Sequence, residues 1–190
     1  WKYQYSKKTI RGFQQAHQCS SWSNDYAVFS LMPVIDNLKV NEDERALPFR
    51  HENETGKPHY YKVTFDNQVT TEMSPSERGA HIRFSFPKGH KAWLVLDGYT
   101  GLSGVEIFPE QRMVTGFVNN GRGMQRGWKN HFVMIFDQPF KAYGTWENGK
   151  NTIQSDETKA EGKGRGAYLA FADGATVQVK VASSYISAEQ

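Results

Sequence analysis

The chain is 190 residues long, which suits one domain with a core of its own and requires no disulfide or metal staple. Its 23 basic and 20 acidic residues leave a net charge of only +3, and both signs are interleaved along the whole length. That mixture is a solvated surface rather than the basic stripe of a nucleic-acid binder, and no run of about 18 apolar residues is present to span a membrane. Cys19 is the only cysteine, so no intrachain disulfide forms, and it reads as a buried or semi-buried small residue rather than a nucleophile.

In chain order, the stretch 11–33 carries the first dense group of polar and aromatic side chains and runs into an apolar strand over Tyr26–Leu31. Tyr61, Val63 and Phe65 then alternate with Lys62, Thr64 and Asp66, the period-two pattern of a half-buried strand. Asp66–Asn67 turns the chain into a second run, Val69 to Met73. In His81–Phe86, Ile82, Phe84 and Phe86 share one face, and Pro87 and Gly89 end the strand. Trp93–Leu96, Val105–Ile107 and Met113–Val118 repeat the theme. His131–Phe136 is nearly continuous in apolar residues, as expected of a strand covered on both sides, and Phe140–Trp146 follows a break at Asp137–Pro139.

Tyr168–Phe171 and Thr176–Val181 flank Asp173–Gly174, which predicts a hairpin. Two polar, Gly-rich stretches, Asn119–Asn130 and Glu147–Gly166, read as loops. Strands at this spacing predict an all-β fold, an antiparallel, supersandwich-like β-sandwich with minimal helix, as one domain over 1–190.

Few patterns carry chemistry. Gly121, Gly123 and Gly127 miss the spacing of a dinucleotide loop, and no helix follows them to receive a phosphate. The six histidines include no close pair of metal-ligand spacing. The carboxylates, among them Asp25, Glu52, Glu54, Asp66, Glu72, Glu77, Asp97 and Glu106, read mostly as solvated surface groups, and no catalytic pair can be named from the sequence. The stretch 17–25 differs, because it sets His17, Gln18, Ser20, Ser21, Asn24 and Asp25 around Trp22. An aromatic face beside short hydrogen-bonding groups suits a pyranose, whose C–H face stacks while its hydroxyls pair. A second reading is equally open: Trp22 plugs the sandwich end and the polar residues cap turns.

These residues also carry a resemblance. The run Gly12-Phe13-Gln14-Gln15-Ala16-His17-Gln18-Cys19-Ser20-Ser21-Trp22-Ser23-Asn24-Asp25-Tyr26-Ala27, then Leu31-Met32-Pro33, resembles the G-F-x-x-T-H-Q-x-S-x-W-x-x-D-Y-G block of glycoside hydrolase family 92 α-mannosidases. Phe49-Arg50-His51-Glu52-Asn53-Glu54 with Pro58 and Tyr60-Tyr61 matches a second block, and Ser76-Glu77-Arg78-Gly79-Ala80-His81 to Phe86-Pro87 a third, more loosely. Ala16, Ala27, Cys19 and Arg50 depart from the usual residues, which bears on substrate preference more than on fold.

The resemblance implies that the chain is the N-terminal sandwich of a two-domain, exo-acting, inverting enzyme, excised at both ends. A C-terminal helical barrel domain would carry the catalytic carboxylates and a calcium ion, so no catalytic or metal residue is expected here. Terminal α-mannosides of glycans would be the substrate, in the periplasm, at the cell surface or outside the cell. Trp22 would be the stacking platform, His17, Gln18 and Asp25 polar contacts, and His51 and Glu54 would fix strand and interface geometry. The alternative is a free-standing, lectin-like carbohydrate-binding module.

Overall fold

The structure, a computed structural model, describes residues 4–14, 28–121, 125, 127–150 and 152–190. Every regular element among them is a strand. In chain order these are β1 (Thr9–Ile10), β2 (Phe13–Gln14), β3 (Ser30–Ile35), β4 (Leu47–Lys57), β5 (Tyr60–Phe65), β6 (Thr70–Ser76), β7 (Gly79–Ser85) and β8 (Ala92–Asp97). The second half adds β9 (Leu102–Phe108), β10 (Met113–Asn119), β11 (Asn130–Phe136), β12 (Ala142–Glu147), β13 (Thr152–Ser155), β14 (Lys159–Lys163), β15 (Arg165–Phe171) and β16 (Thr176–Ser184).

They form two antiparallel sheets. The large one has the order β1-β4-β5-β6-β7-β16-β11-β10-β9-β14, and the small one β13-β12-β15-β8-β3-β2. The expected antiparallel sandwich is therefore observed.

The alternating strands do what their pattern requires. Val63, Phe65, Phe84, Val177, Val179, Phe132, Met134 and Val114 point inward from the large sheet, and Leu31, Leu94, Leu96, Ala167, Leu169 and Phe171 meet them from the small one. The small sheet is buried on its other face too. There Val34, Val95 and Trp146 form a second apolar cluster with Val40, which lies on the segment between β3 and β4.

Several expectations need correction. The Asp173–Gly174 turn is real, with Ala175 N–H donating to the Ala172 carbonyl at 3.1 Å, but it does not make a hairpin. β15 pairs with β8 and β12, whereas β16 pairs with β7 and β11, so the turn arches from one sheet to the other. β11 is not covered on both sides: Phe132, Met134 and Phe136 are buried, but Ile135 is half exposed on the outer face of the large sheet. The stretch Glu147–Gly166 contains β13 and β14, whose mainly exposed residues give no apolar alternation. Of the apolar strand expected over Tyr26–Leu31, Tyr26 and Ala27 lie outside the described residues; β3 runs over Ser30–Ile35 and continues through Pro33, which lies opposite Leu94.

The outer face of the large sheet carries a polar row, Lys62–Glu72–Arg83–Gln178, set by the pairing register. Tyr60 Oη donates to Glu72 Oε1 at 2.6 Å, and Arg83 Nη2 lies 2.7 Å from Glu72 Oε2. The Tyr60 hydrogen bond is the largest influence on the Glu72 carboxyl; burial opposes it, and the Arg83 hydrogen bond and charge add to it, so the carboxyl stays below its ordinary value of 4.5. A carboxyl lowered in the folded state stabilises fully above that ordinary value and loses its contribution as pH falls through the lowered one. Glu72→Gln should therefore flatten the acid limb of stability measured by urea unfolding between neutral pH and acid. An unchanged slope would show that the pair contributes nothing.

Candidate functional site

One end of the sandwich gathers the segments that matter. Register places Trp146, Gly166, Asp97, Ser30 and Gln14 in a single row across the end of the small sheet. Leu102, Asn119, Asn130 and Ser184 close the neighbouring strands of the large sheet at the same end. The stretch 15–27 leaves from Gln14 and returns through Val28, so both of its stems are rooted here.

The row is organised by a buried ion pair. Arg45 rides on the segment that crosses the outer face of the small sheet, and its Nη2 lies 2.5 Å from Asp97 Oδ2 with both side chains buried. Its Nη1 donates to the Val40 carbonyl at 2.7 Å and its Nε to the Arg11 carbonyl at 3.0 Å. The guanidinium also stands 5.9 Å from the centre of the Trp146 ring, whose Nε1 donates to the Leu96 carbonyl at 3.0 Å. Asp97 thus corrects the reading of the carboxylates as surface groups. Its second oxygen accepts the Tyr99 N–H at 2.7 Å and shapes the turn after β8.

That turn reaches both stems. Gln14 Nε2 donates to Tyr99 Oη, and Asn120 Nδ2 donates to the Gly98 carbonyl at 3.0 Å and to the Val28 carbonyl at 2.7 Å. Burial pushes the Tyr99 phenol up, so it stays protonated. The end of the chain lies alongside: Trp128 and Tyr185 rings are 5.2 Å apart, and Tyr185 and Ile186 are exposed apolar residues. His131, opposite Ser184, is pushed down chiefly by burial and secondly by Lys129, which favours its neutral form.

Of the site residues read from the sequence, His17, Gln18, Trp22 and Asp25 lie outside the described residues. His51 and Glu54 are brought together. His51 Nδ1 lies 2.8 Å from Glu54 Oε2, Tyr61 Oη donates to Glu54 Oε1 at 2.5 Å, and His51 Nε2 is 2.7 Å from the Tyr5 carbonyl. The Tyr5 and His51 rings stack at 4.0 Å. This cluster spans the register shift between β4 and β5, and the Phe13 ring packs beside Tyr61.

The comparisons decide the family. A model of the glycosyl hydrolase family 92 N-terminal domain matches residues 1–184. The chain belongs to that family. A family 92 inverting mannosidase from Bacteroides thetaiotaomicron VPI-5482 is similar over 98% of this chain, at 38% identity and a TM-score of 0.92. The same alignment covers 26% of that mannosidase, so the family 92 domain spans about a quarter of its length. A family 92 α-mannosidase from Bacteroides thetaiotaomicron, solved with mannoimidazole, has a TM-score of 0.81 at 22% identity, over 98% of this chain and 27% of its own, and shows the fold. No curated protein sequence compared with the chain matches it.

Among the described residues of this family 92 domain, no three His, Cys, Asp or Glu side chains converge to hold a metal ion. No helix of the described residues is long and apolar enough to cross a membrane. Arg45, Asp97, Tyr99 and Asn120 were missed by sequence reasoning. Asp97-Gly98-Tyr99 after an apolar strand is a turn signal that could have flagged the side-chain cap, but Arg45 sits in the charged run Asn41–Arg45 and looks like surface.

Proposed function

We propose that this domain is the non-catalytic N-terminal half of an exo-acting, inverting α-mannosidase, packed on a helical domain and forming part of the mannoside pocket. The observation that carries the reading is the 38% identity over 98% of this chain to an inverting mannosidase four times as long. The chemistry of the described residues agrees. Inversion requires a carboxylic acid at the leaving oxygen and a carboxylate activating water from the opposite face, roughly 6.5–9.5 Å away.

The buried Asp97 and the half-buried Glu54 and Glu72 are otherwise engaged: Asp97 with Arg45, Glu54 with His51 and Tyr61, Glu72 with Tyr60 and Arg83. Bond cleavage is therefore assigned to the rest of the parent protein, together with its calcium ion. The contribution of this domain is a wall: Trp22 stacks on the apolar face of the sugar, and His17, Gln18 and Asp25 pair with or support its hydroxyls. Terminal mannosides of glycans place the enzyme in the periplasm, at the cell surface or outside the cell.

The test is Trp22→Ala in the full-length protein. Losing an aromatic stacking face should lower kcat/KM for an α-mannoside roughly ten- to a hundredfold, about 1.4–2.8 kcal/mol of transition-state binding. An unchanged kcat/KM would remove the stretch 15–27 from the sugar site.

A further inference from the structure

Residues 4–8 lead into β1 and lie against β4 at the edge of the large sheet. From Lys8 onward the backbone holds them. Phe49 N–H donates to the Lys8 carbonyl at 3.0 Å, and Thr9 and Ile10 pair with Pro48 and Leu47. Ahead of that point the chain makes a tight turn, closed by Lys7 N–H donating to the Gln4 carbonyl at 2.9 Å. The turn sets Tyr5 against His51, with the two ring planes 12° apart, while 71% of Tyr5 stays exposed. Among the described residues, both the polar and the ring contact of Tyr5 with the sheet are made by His51.

The acceptors around His51 fix how many protons that contact needs. The Tyr5 carbonyl, 2.7 Å from Nε2, can only accept. Glu54 Oε2, 2.8 Å from Nδ1, accepts when ionised, and Oε1 of the same carboxyl receives the Tyr61 hydroxyl. A neutral imidazole carries one N–H and cannot serve both acceptors. The two bonds coexist only when the His51–Glu54 pair holds one further proton. Imidazolium beside carboxylate and neutral imidazole beside protonated carboxyl both satisfy that count. Once Tyr5 leaves, Nε2 faces water, and a single N–H on Nδ1 is enough for Glu54. Docking the segment therefore takes up a proton.

The other groups nearby are occupied elsewhere or uncharged. Arg50 lies 3.6 Å from Glu52 and 3.9 Å from Asp66, and the Phe49 ring meets the imidazole edge-on at 5.1 Å. Among the described residues, the titratable groups facing the imidazole are thus Glu54 on β4, Tyr61 on β5 through Glu54, and Tyr5 on the segment itself.

We infer that His51 and Glu54 form a proton-dependent latch, which docks residues 4–8 on the edge of the large sheet and releases them as the pair loses its proton. Docking is favoured where the proton is kept and weakens as pH rises, by at most about tenfold per pH unit for a single proton. The latch does not rest on the function proposed above.

The experiment follows amide hydrogen exchange of the full-length protein by mass spectrometry, in peptides covering 4–8, with the intrinsic pH dependence of exchange divided out. Protection of 4–8 should fall about tenfold between about pH 6 and about pH 8, where histidine ordinarily titrates, with β7 and β16 unchanged. Glu54→Gln supplies the discriminating arm. Its amide can donate to Nδ1 while its oxygen still accepts the Tyr61 hydroxyl, so a neutral His51 keeps its N–H for Tyr5. That variant should stay protected to within about twofold across the same range, whereas a merely structural carboxylate predicts that protection is lost. His51→Gln, which takes up no proton, should exchange equally fast at both ends of the range. Wild-type protection that does not change with pH overturns the latch, whether or not the variants fold. A Glu54→Gln protein that keeps the wild-type fall, or loses protection throughout, overturns it as well.

Discussion

Arg45→Met is expected to destabilise the domain by about 3–5 kcal/mol, the usual cost of removing one partner from a buried ion pair. The wild-type guanidinium and carboxylate are almost fully shielded from water, and the Arg45 side chain makes hydrogen bonds to Asp97, Val40 and Arg11. Methionine would fill much of the volume, but it would leave the Asp97 carboxylate buried with only the Tyr99 N–H for a partner. It would also leave the Val40 and Arg11 carbonyls without their donor. Lysine should rescue little, since a single ammonium cannot reach three acceptors held in a planar fork.

Urea unfolding of the domain followed by tryptophan fluorescence measures the loss, which corresponds to a melting point lower by about 6–20 °C for a domain of this size. Arg45→Met combined with Asp97→Asn should be less destabilised than the two single changes summed, because the double variant buries no unpaired charge. A loss below about 1 kcal/mol would place Arg45 among ordinary surface arginines.

This pair also marks the limit of what the sequence discloses. Local periodicity is enough for strands such as β7, where Ile82 and Phe84 enter the core, and for the turn at Asp66–Asn67, which does join β5 to β6. It is not enough for partner choice. Asp173–Gly174 has the chemistry of a tight turn, and the same chemistry serves an arch between sheets; the partners that distant strands supply, β8 and β12 for β15 and β7 and β11 for β16, distinguish the two. β13 and β14 stand at the edges of their sheets, where solvent removes any need for an apolar face.

The site shows the same division. The stretch from Arg11 to Pro33 was conspicuous because polar and aromatic residues crowd together, and the structure roots both its stems at one end of the sandwich. What holds those stems comes from 45, 97–99 and 120, positions far apart in the chain whose proximity follows from sheet register. A single charged residue in a charged run carries no mark of burial. The ordered family blocks added what periodicity could not, and the family match over residues 1–184 agrees with them.

The largest expected effect is on activity. If cleavage belongs to the part of the parent outside this domain, residues 1–190 contribute a wall of the pocket and no acid–base pair. Glycosidase rate accelerations reach many orders of magnitude and depend on both carboxylates acting together, so half a site should retain none of it. The decisive measurement is mannose release from an α-mannobiose, with the anomer formed first read by NMR, for the full-length protein and for residues 1–190 alone. The full-length protein should release β-mannose first, the product of inversion, and the isolated domain should release no mannose. Mannose released by the isolated domain at enzymatic rates would contradict the assignment of catalysis to the rest of the protein, and α-mannose released first by the full-length protein would contradict inversion.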